Sequence, residues 1–109
     1  MYSRYFVEGV KYYVDDGCHS ENFTPDDVAG FYLSEYATAF TRCCSSDGSS
    51  CSTESKCTDS SDLVTYAEAE AKCSTKGMRL CTEEELLSDV CCATGGQCDN
   101  YVVWTSTAA

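Results

Sequence analysis

Proline, histidine and tryptophan each occur sparingly in these 109 residues, once apiece, and only 7 basic residues stand against 18 acidic ones. Each scarcity excludes something. A lone histidine, His19, cannot supply the imidazoles of a catalytic zinc site. It sits beside Cys18 in a turn-rich stretch, with no nucleophile singled out for a Ser–His–Asp arrangement. A net charge of −11 with no basic stripe repels phosphate backbones and anionic membrane surfaces, which excludes nucleic-acid binding. No apolar run approaches membrane-spanning length, so membrane insertion is not expected. Gly95-Gly96 stands alone, without the spacing of a phosphate-binding loop. The CxxC spacing common among zinc ligands is also missing. These absences lead us to expect no enzyme, no cofactor and no metal.

Cysteine is the residue in excess. There are ten: Cys18, Cys43, Cys44, Cys51, Cys57, Cys73, Cys81, Cys91, Cys92 and Cys98. An even number without metal spacing implies five disulfides, and disulfides imply an oxidising compartment outside the cell, secreted or on a surface appendage. The opening "MYSRYFVEGVKYYV" has Arg4, Glu8 and Lys11 where a secretory signal is apolar. The expectation is therefore that residue 1 is not the start of the gene product. Ten cysteines allow on the order of a thousand pairings, so connectivity stays open. Adjacent pairs, Cys43-Cys44 and Cys91-Cys92, are expected to send their two sulfurs to different partners. A helix over residues 83–89 would hold Cys81 and Cys91 ~13 Å or more apart, which excludes a bond between them.

Residues 2–14 are rich in tyrosine, phenylalanine and valine and predict a strand with apolar groups on both faces. Such a strand needs cover, and no cysteine within it fixes it locally. We read residues 1–14 as an arm and 15–109 as one disulfide-stapled domain. Asp16-Gly17 marks a turn, and Thr24-Pro25-Asp26-Asp27 reads as the capped start of a short helix running to about Tyr32. "YATAFTRCC" (36–44) alternates like a strand, and 45–62 is a serine-rich loop. Thr65 with Glu68 forms a capping box before "YAEAEAKCSTK", a helix stopped by Gly77, whose small Ala67 and Ala71 suit close packing on a sheet. "MRLC" (78–81) reads as a short buried strand. A second capping box, Thr82 with Glu85, opens a helix whose inward face is Leu86, Leu87 and Val90. "YVVWTST" closes the chain as a strand carrying a buried Trp104.

The run Glu83-Glu84-Glu85 invites a metal-binding reading, but consecutive helical residues point ~100° apart and cannot converge on one ion. The three acids suit a helix N-terminus, where free amide groups favour carboxylates. Asn22-Phe23-Thr24 is a glycosylation sequon, which makes Asn22 the candidate acceptor of a glycoprotein.

The stretch "TYAEAEAKCSTKGMRLCTEEELL...VVWTST" (64–106) resembles a C-type-lectin-like or Link-type module in its order of helix, short strand, capped helix and Trp-bearing strand. With "TRCCSSDGSSC" it is also similar to cysteine-rich extracellular modules of algal and aquatic-microbe surface proteins. The resemblance implies an adhesive or architectural role at the cell surface. The tripeptides EPN, QPD and WND that ligate calcium and sugar in C-type lectins are missing.

The expected fold is α+β: a small disulfide-rich domain, two capped helices on a mainly antiparallel sheet, plus the N-terminal strand arm. Two functions follow from different classes. The first is a secreted structural subunit that self-assembles into a filament or coat, its partners copies of itself. It would polymerise by pairing its arm with a neighbour and burying Tyr5, Phe6, Val10, Tyr12 and Tyr13. The second is a monomeric carbohydrate-binding or adhesive module of C-type-lectin-like type, with glycans as partners.

Overall fold

The computed structural model describes residues 9–16, 30–53, 60–88, 91 and 102–109. Among the described residues, two three-stranded antiparallel sheets and two short α-helices form an α+β arrangement. Strand β1 (Lys11–Asp16) is the middle strand of the first sheet, between β2 (Phe31–Ser34) and β6 (Val102–Ala108). Its register sets Tyr12 against Leu33, Tyr13 against Tyr32 and Val14 against Phe31. On the other side Val14 faces Trp104 and Asp16 faces Val102, with an irregularity between Tyr12 and Val14.

This placement corrects the expectation of a free arm through residue 14. Lys11 to Val14 belong to the domain itself, and Tyr13 and Val14 are buried in it. The physical reason is the apolar character on both faces. Two apolar faces demand cover, and the chain meets the demand by putting the strand in the middle of its own sheet and not against a neighbour. The strand also runs on through Asp16, where a turn is expected. The Asp15 carboxylate is buried and accepts a 2.8 Å hydrogen bond from the Tyr13 hydroxyl.

The expected helix through Tyr32 is corrected at its end as well. Phe31 and Tyr32 lie in β2, because aromatic side chains fit a pleated surface better than a helix weakened by glycine. Gly30 introduces the strand, and its amide donates to the Tyr13 hydroxyl at 3.0 Å. A β-carbon on Gly30 would run into the carbonyl oxygen of Val14.

The second sheet has β3 (Arg42–Cys44) in the middle, flanked by β4 (Cys51–Thr53) and β5 (Arg79–Leu80). The strand expected over 36–44 is thus confined to three residues. Before it, Ala39 bridges Val64 and Phe40 bridges Val103, so Ala39 to Cys44 are buried without alternation. The Phe40 bridge joins this segment to β6 and couples the two sheets: Phe40 donates to Val102, and Trp104 donates to Phe40. Inside the serine-rich stretch, the turn from β3 to β4 is organised by Asp47. Its carboxylate accepts from the Ser45 and Ser49 hydroxyls, each at 2.7 Å, and from the Ser49 amide. The Ser45 hydroxyl first, then Ser49, hold its pKa down at about 2.

Helix α1 (Tyr66–Ser74) starts at Thr65, whose capping box with Glu68 is complete, and Gly77 follows it at φ 69. A left-handed residue there is available to glycine without a β-carbon penalty. The buried face is Tyr66, Ala69 and Cys73; Ala67 and Ala71 are exposed, contrary to expectation. The bulky end of that face decides the rotation, since Tyr66 stacks on Tyr12 at 3.6 Å and meets Trp104 edge-on at 5.7 Å. Helix α2 (Glu83–Leu87) begins at Thr82 with a second complete capping box through Glu85. The glutamate run therefore opens a helix. Leu86 is buried in it and Leu87 is exposed; Val90 lies outside the described residues.

The main core unites Val14, Ala39, Cys43, Tyr66, Ala69, Cys73, Leu80 and Trp104. Trp104 is wholly buried, and its indole N–H donates to the Val64 carbonyl at 2.8 Å. This satisfies the one polar group of a ring whose bulk fills the centre.

Candidate functional site

Among the described residues, β2 pairs with β1 on one side and with no strand on the other. Its sequence, Phe-Tyr-Leu-Ser, contains no charge and no proline, the usual means by which sheet edges discourage pairing. The register puts Phe31 and Leu33 on the face of Val14 and Tyr12, toward the core, and Tyr32 on the opposite face beside Tyr13. Phe31 is nevertheless 51% exposed and Tyr32 43%. Where the chain leaves β2, Tyr36 is 65% exposed, and Val10, whose carbonyl accepts from the Glu35 amide, is 46% exposed. Beneath this surface the strand pair is cross-linked by side-chain contacts. The Tyr13 ring packs edge-on against Tyr32, and its hydroxyl joins β1 to Gly30. Burial first, and then the Asp15 carboxylate that it donates to, push the Tyr13 phenol well above the ordinary tyrosine range.

Of the five residues read as an interface, Tyr12 and Tyr13 are corrected: both are engaged inside the domain, Tyr12 on Tyr66 and Tyr13 on Asp15. Val10 remains at the surface. Tyr5 and Phe6 lie outside the described residues, as do His19, Asn22 and the cysteines at 18, 57, 92 and 98. The exposed Phe31, Tyr32 and Tyr36 were missed. Their signal was the run Phe-Tyr-Leu between Gly30 and Ser34, obscured by the proline-led helix start before it.

A second feature is built from sulfur. Three disulfides connect described residues: Cys43 to Cys73, Cys44 to Cys81, and Cys51 to Cys91. The adjacent Cys43 and Cys44 diverge, one to α1 and the other to the end of β5, as expected of side chains on opposite faces of a strand. Two of the bridges lie side by side. Cys44 and Cys51 are directly opposed across the β3–β4 pair, Cys81 follows β5 on the other flank of β3, and Cys91 returns after α2. Their sulfurs approach across the two bonds: Cys44 to Cys51 at 3.8 Å, Cys44 to Cys91 at 3.7 Å, Cys81 to Cys91 at 3.5 Å. The expected wide separation of Cys81 from Cys91 is therefore wrong, although the two are not bonded to each other. Helix α2 has five residues, two fewer than the expected 83–89. Arg42, fully buried, closes the group: its guanidinium donates to the Cys91 carbonyl at 3.0 Å and to the Thr53 hydroxyl.

A shallow groove of about 490 Å³ runs along α1 and β5, lined by Ala67, Glu70, Ala71, Ser74, Met78, Arg79, Leu80 and Ser106. The Arg79 guanidinium is held by Glu85 through a pair of hydrogen bonds at 2.7 and 2.8 Å. That pair lowers the Glu85 carboxylate below its ordinary range and raises Arg79. Glu85 thus serves at once as helix cap and as anchor for β5. Comparison with protein-family models, curated proteins and solved structures finds no match to this chain.

Proposed function

We propose that this chain is a structural subunit of an extracellular assembly and that the β2 edge is where a neighbouring copy attaches. The observation that carries the reading is an uncharged edge strand with exposed aromatics on both faces. An added strand would extend both faces at once, covering Phe31 on one and Tyr32 on the other, while its backbone fills the edge. Burying Phe31, Tyr36 and Val10 would contribute ~1.5–3 kcal/mol per side chain. The donor we assign is the neighbour's segment 2–8, whose Tyr2, Tyr5, Phe6 and Val7 give it strand character. A donor segment and an acceptor edge on different parts of the chain make a head-to-tail contact, which propagates into a filament.

The setting outside the cell is supported by three disulfides among the described cysteines, and no described helix is long and apolar enough to cross a membrane. The glycan-binding alternative draws on the resemblance of residues 64–106 to lectin-like modules. It is weakened by Trp104, which is committed to the core and offers no stacking surface.

Sedimentation velocity and electron microscopy of the wild type, Phe31→Lys with Tyr36→Lys, and a deletion of residues 2–8 test this reading. Wild-type protein is expected to form filaments or sheets, and both variants to remain folded monomers. A wild type that stays monomeric at every concentration, or variants that assemble unchanged, would overturn it.

A further inference from the structure

We propose that Arg4 of the incoming copy sits directly opposite Tyr32 on the β2 edge and fixes the register of assembly by reaching the Glu83 carboxylate; the inference rests on the attachment of segment 2–8 at that edge. The backbone of β2 limits the choices. In an antiparallel pair, facing residues alternately exchange both backbone hydrogen bonds and turn those groups away from each other. The Glu35 amide donates to the Val10 carbonyl at 2.8 Å. From there the register runs without a break through Lys11–Ser34, Tyr12–Leu33, Tyr13–Tyr32 and Val14–Phe31. Leu33 and Phe31 therefore direct their amides and carbonyls to β1, whereas Tyr32 turns both outward, to the side on which no described strand lies. The ends of the edge offer less. The Gly30 amide is given to the Tyr13 hydroxyl, and the Ser34 carbonyl accepts from Ala37 where the chain turns out of the strand. Within β2, Tyr32 is thus the residue at which one facing residue of an antiparallel partner can exchange two bonds.

The side chain of that facing residue would stand beside the Tyr32 ring, on the face away from the core. There the Tyr32 hydroxyl donates to the Glu83 carboxylate at 3.4 Å. Glu83 is itself fixed to β6, because its amide donates to the Thr107 hydroxyl at 2.8 Å. Ring and carboxylate together select a cation. A guanidinium within ~6 Å of an aromatic centre is attracted to the ring face. Facing Cα atoms ~5.5 Å apart set the long arginine side chain alongside the tyrosine, with its charge near the carboxylate at the tip.

Segment 2–8 holds one basic residue, Arg4. With Arg4 on Tyr32 in antiparallel pairing, Tyr5 falls beside the exposed Phe31, and Phe6 falls opposite Gly30, where no side chain competes for the space. A slip of one residue would turn Arg4 to the face of Phe31 and Leu33 and put Ser3 or Tyr5 beside Glu83. A slip of two would carry Arg4 past the carboxylate. Each chain has a net charge of −11, so an opposite-charge contact at the joint also offsets the repulsion between copies.

The test uses the full chain with p-benzoylphenylalanine in place of Tyr32, irradiated during assembly, with cross-links between unlabelled and nitrogen-labelled copies mapped by mass spectrometry. Cross-links centred on residues 3–5 are expected. In parallel, Arg4→Glu and Glu83→Lys should each raise the critical concentration for assembly by about tenfold or more in sedimentation velocity, and the two together should return it most of the way. Trp104 fluorescence checks that each variant is folded, and the cross-linking arm needs neither charge variant. Single variants that assemble as the wild type does, a double variant no better than the singles, or cross-links centred away from residues 3–5 would each overturn the register while leaving attachment at β2 standing. Wild-type protein that stays monomeric would overturn the attachment and this inference with it.

Discussion

Replacing Cys43 and Cys73 together by alanine tests how the disulfides share the work of stabilisation. The bond spans a sequence separation of 30 residues. Taken alone, closing such a loop restricts the unfolded chain by ~3.7 kcal/mol in the chain-entropy model. The neighbouring bridge changes the sum. With Cys44–Cys81 intact, the unfolded chain already joins residue 44 to residue 81. The shortest covalent path between Cys43 and Cys73 then runs through that bridge and is roughly ten residues long, so the contribution drops to ~2.7 kcal/mol. The same path argument gives about the same value for removing Cys44–Cys81 alone. Removing both should cost ~6.4 kcal/mol, about 1 kcal/mol more than the ~5.4 kcal/mol of the two single losses added together. Urea titration of the three variants measures this, and for a domain of this size 2.7 kcal/mol corresponds to a fall in Tm of about 10–20 °C. Strict additivity, or a single loss under ~1 kcal/mol, would refute the shared-path reasoning. Either would mean that the unfolded chain is already compact around its cysteines.

Other expectations follow from the packing. Leu86→Ala should cost ~2–5 kcal/mol and Leu87→Ala under ~0.5, by thermal denaturation, since Leu86 is buried and Leu87 is exposed. Trp104 fluorescence should be blue-shifted, insensitive to iodide and unchanged by any glycan, and saturable quenching by sugars would restore the lectin reading. Glu85 has a folded pKa below its ordinary 4.5, so the stability it adds is present above that value and is lost as pH falls through the folded pKa. Arg79→Ala or Glu85→Gln should flatten that acid limb of the stability curve. Tyr13 and Tyr66 are both raised, chiefly by burial. Their contribution is full below the ordinary value of 10.0 and is lost above it. Absorbance near 295 nm, followed against pH by roughly half-unit steps, should show these two phenols ionising only as the domain unfolds.

The second half of the chain was legible because its signals are local. Thr65 with Glu68 and Thr82 with Glu85 are complete boxes within four residues, and both helices start where those pairs put them. The same locality explains why the glutamate run was recognised as a helix start. What was not legible depended on residues distant in sequence. Whether residues 11–14 need a neighbour's strand or their own β2 and β6 is decided by partners about 20 and 90 positions away. The helix face of α1 turned on Tyr66 finding Tyr12 and Trp104, which no periodicity within nine residues can show. The sulfur group was hidden for a similar reason. Cys81 and Cys91 look separated in sequence because a helix over 83–89 is two residues too long, and that small error of span moves one sulfur away from the other.

Strand β1 runs antiparallel to β6, and the two meet at their outer ends: Tyr12 is registered with Ala108, and the Ala109 amide donates to the Lys11 carbonyl. A pull on the chain at those two points would enter the ladder at a single end and break its hydrogen bonds one after another, as a zipper opens. Ladders loaded from opposite ends break all at once and resist far more. The first sheet would therefore yield earlier than a ladder loaded from opposite ends.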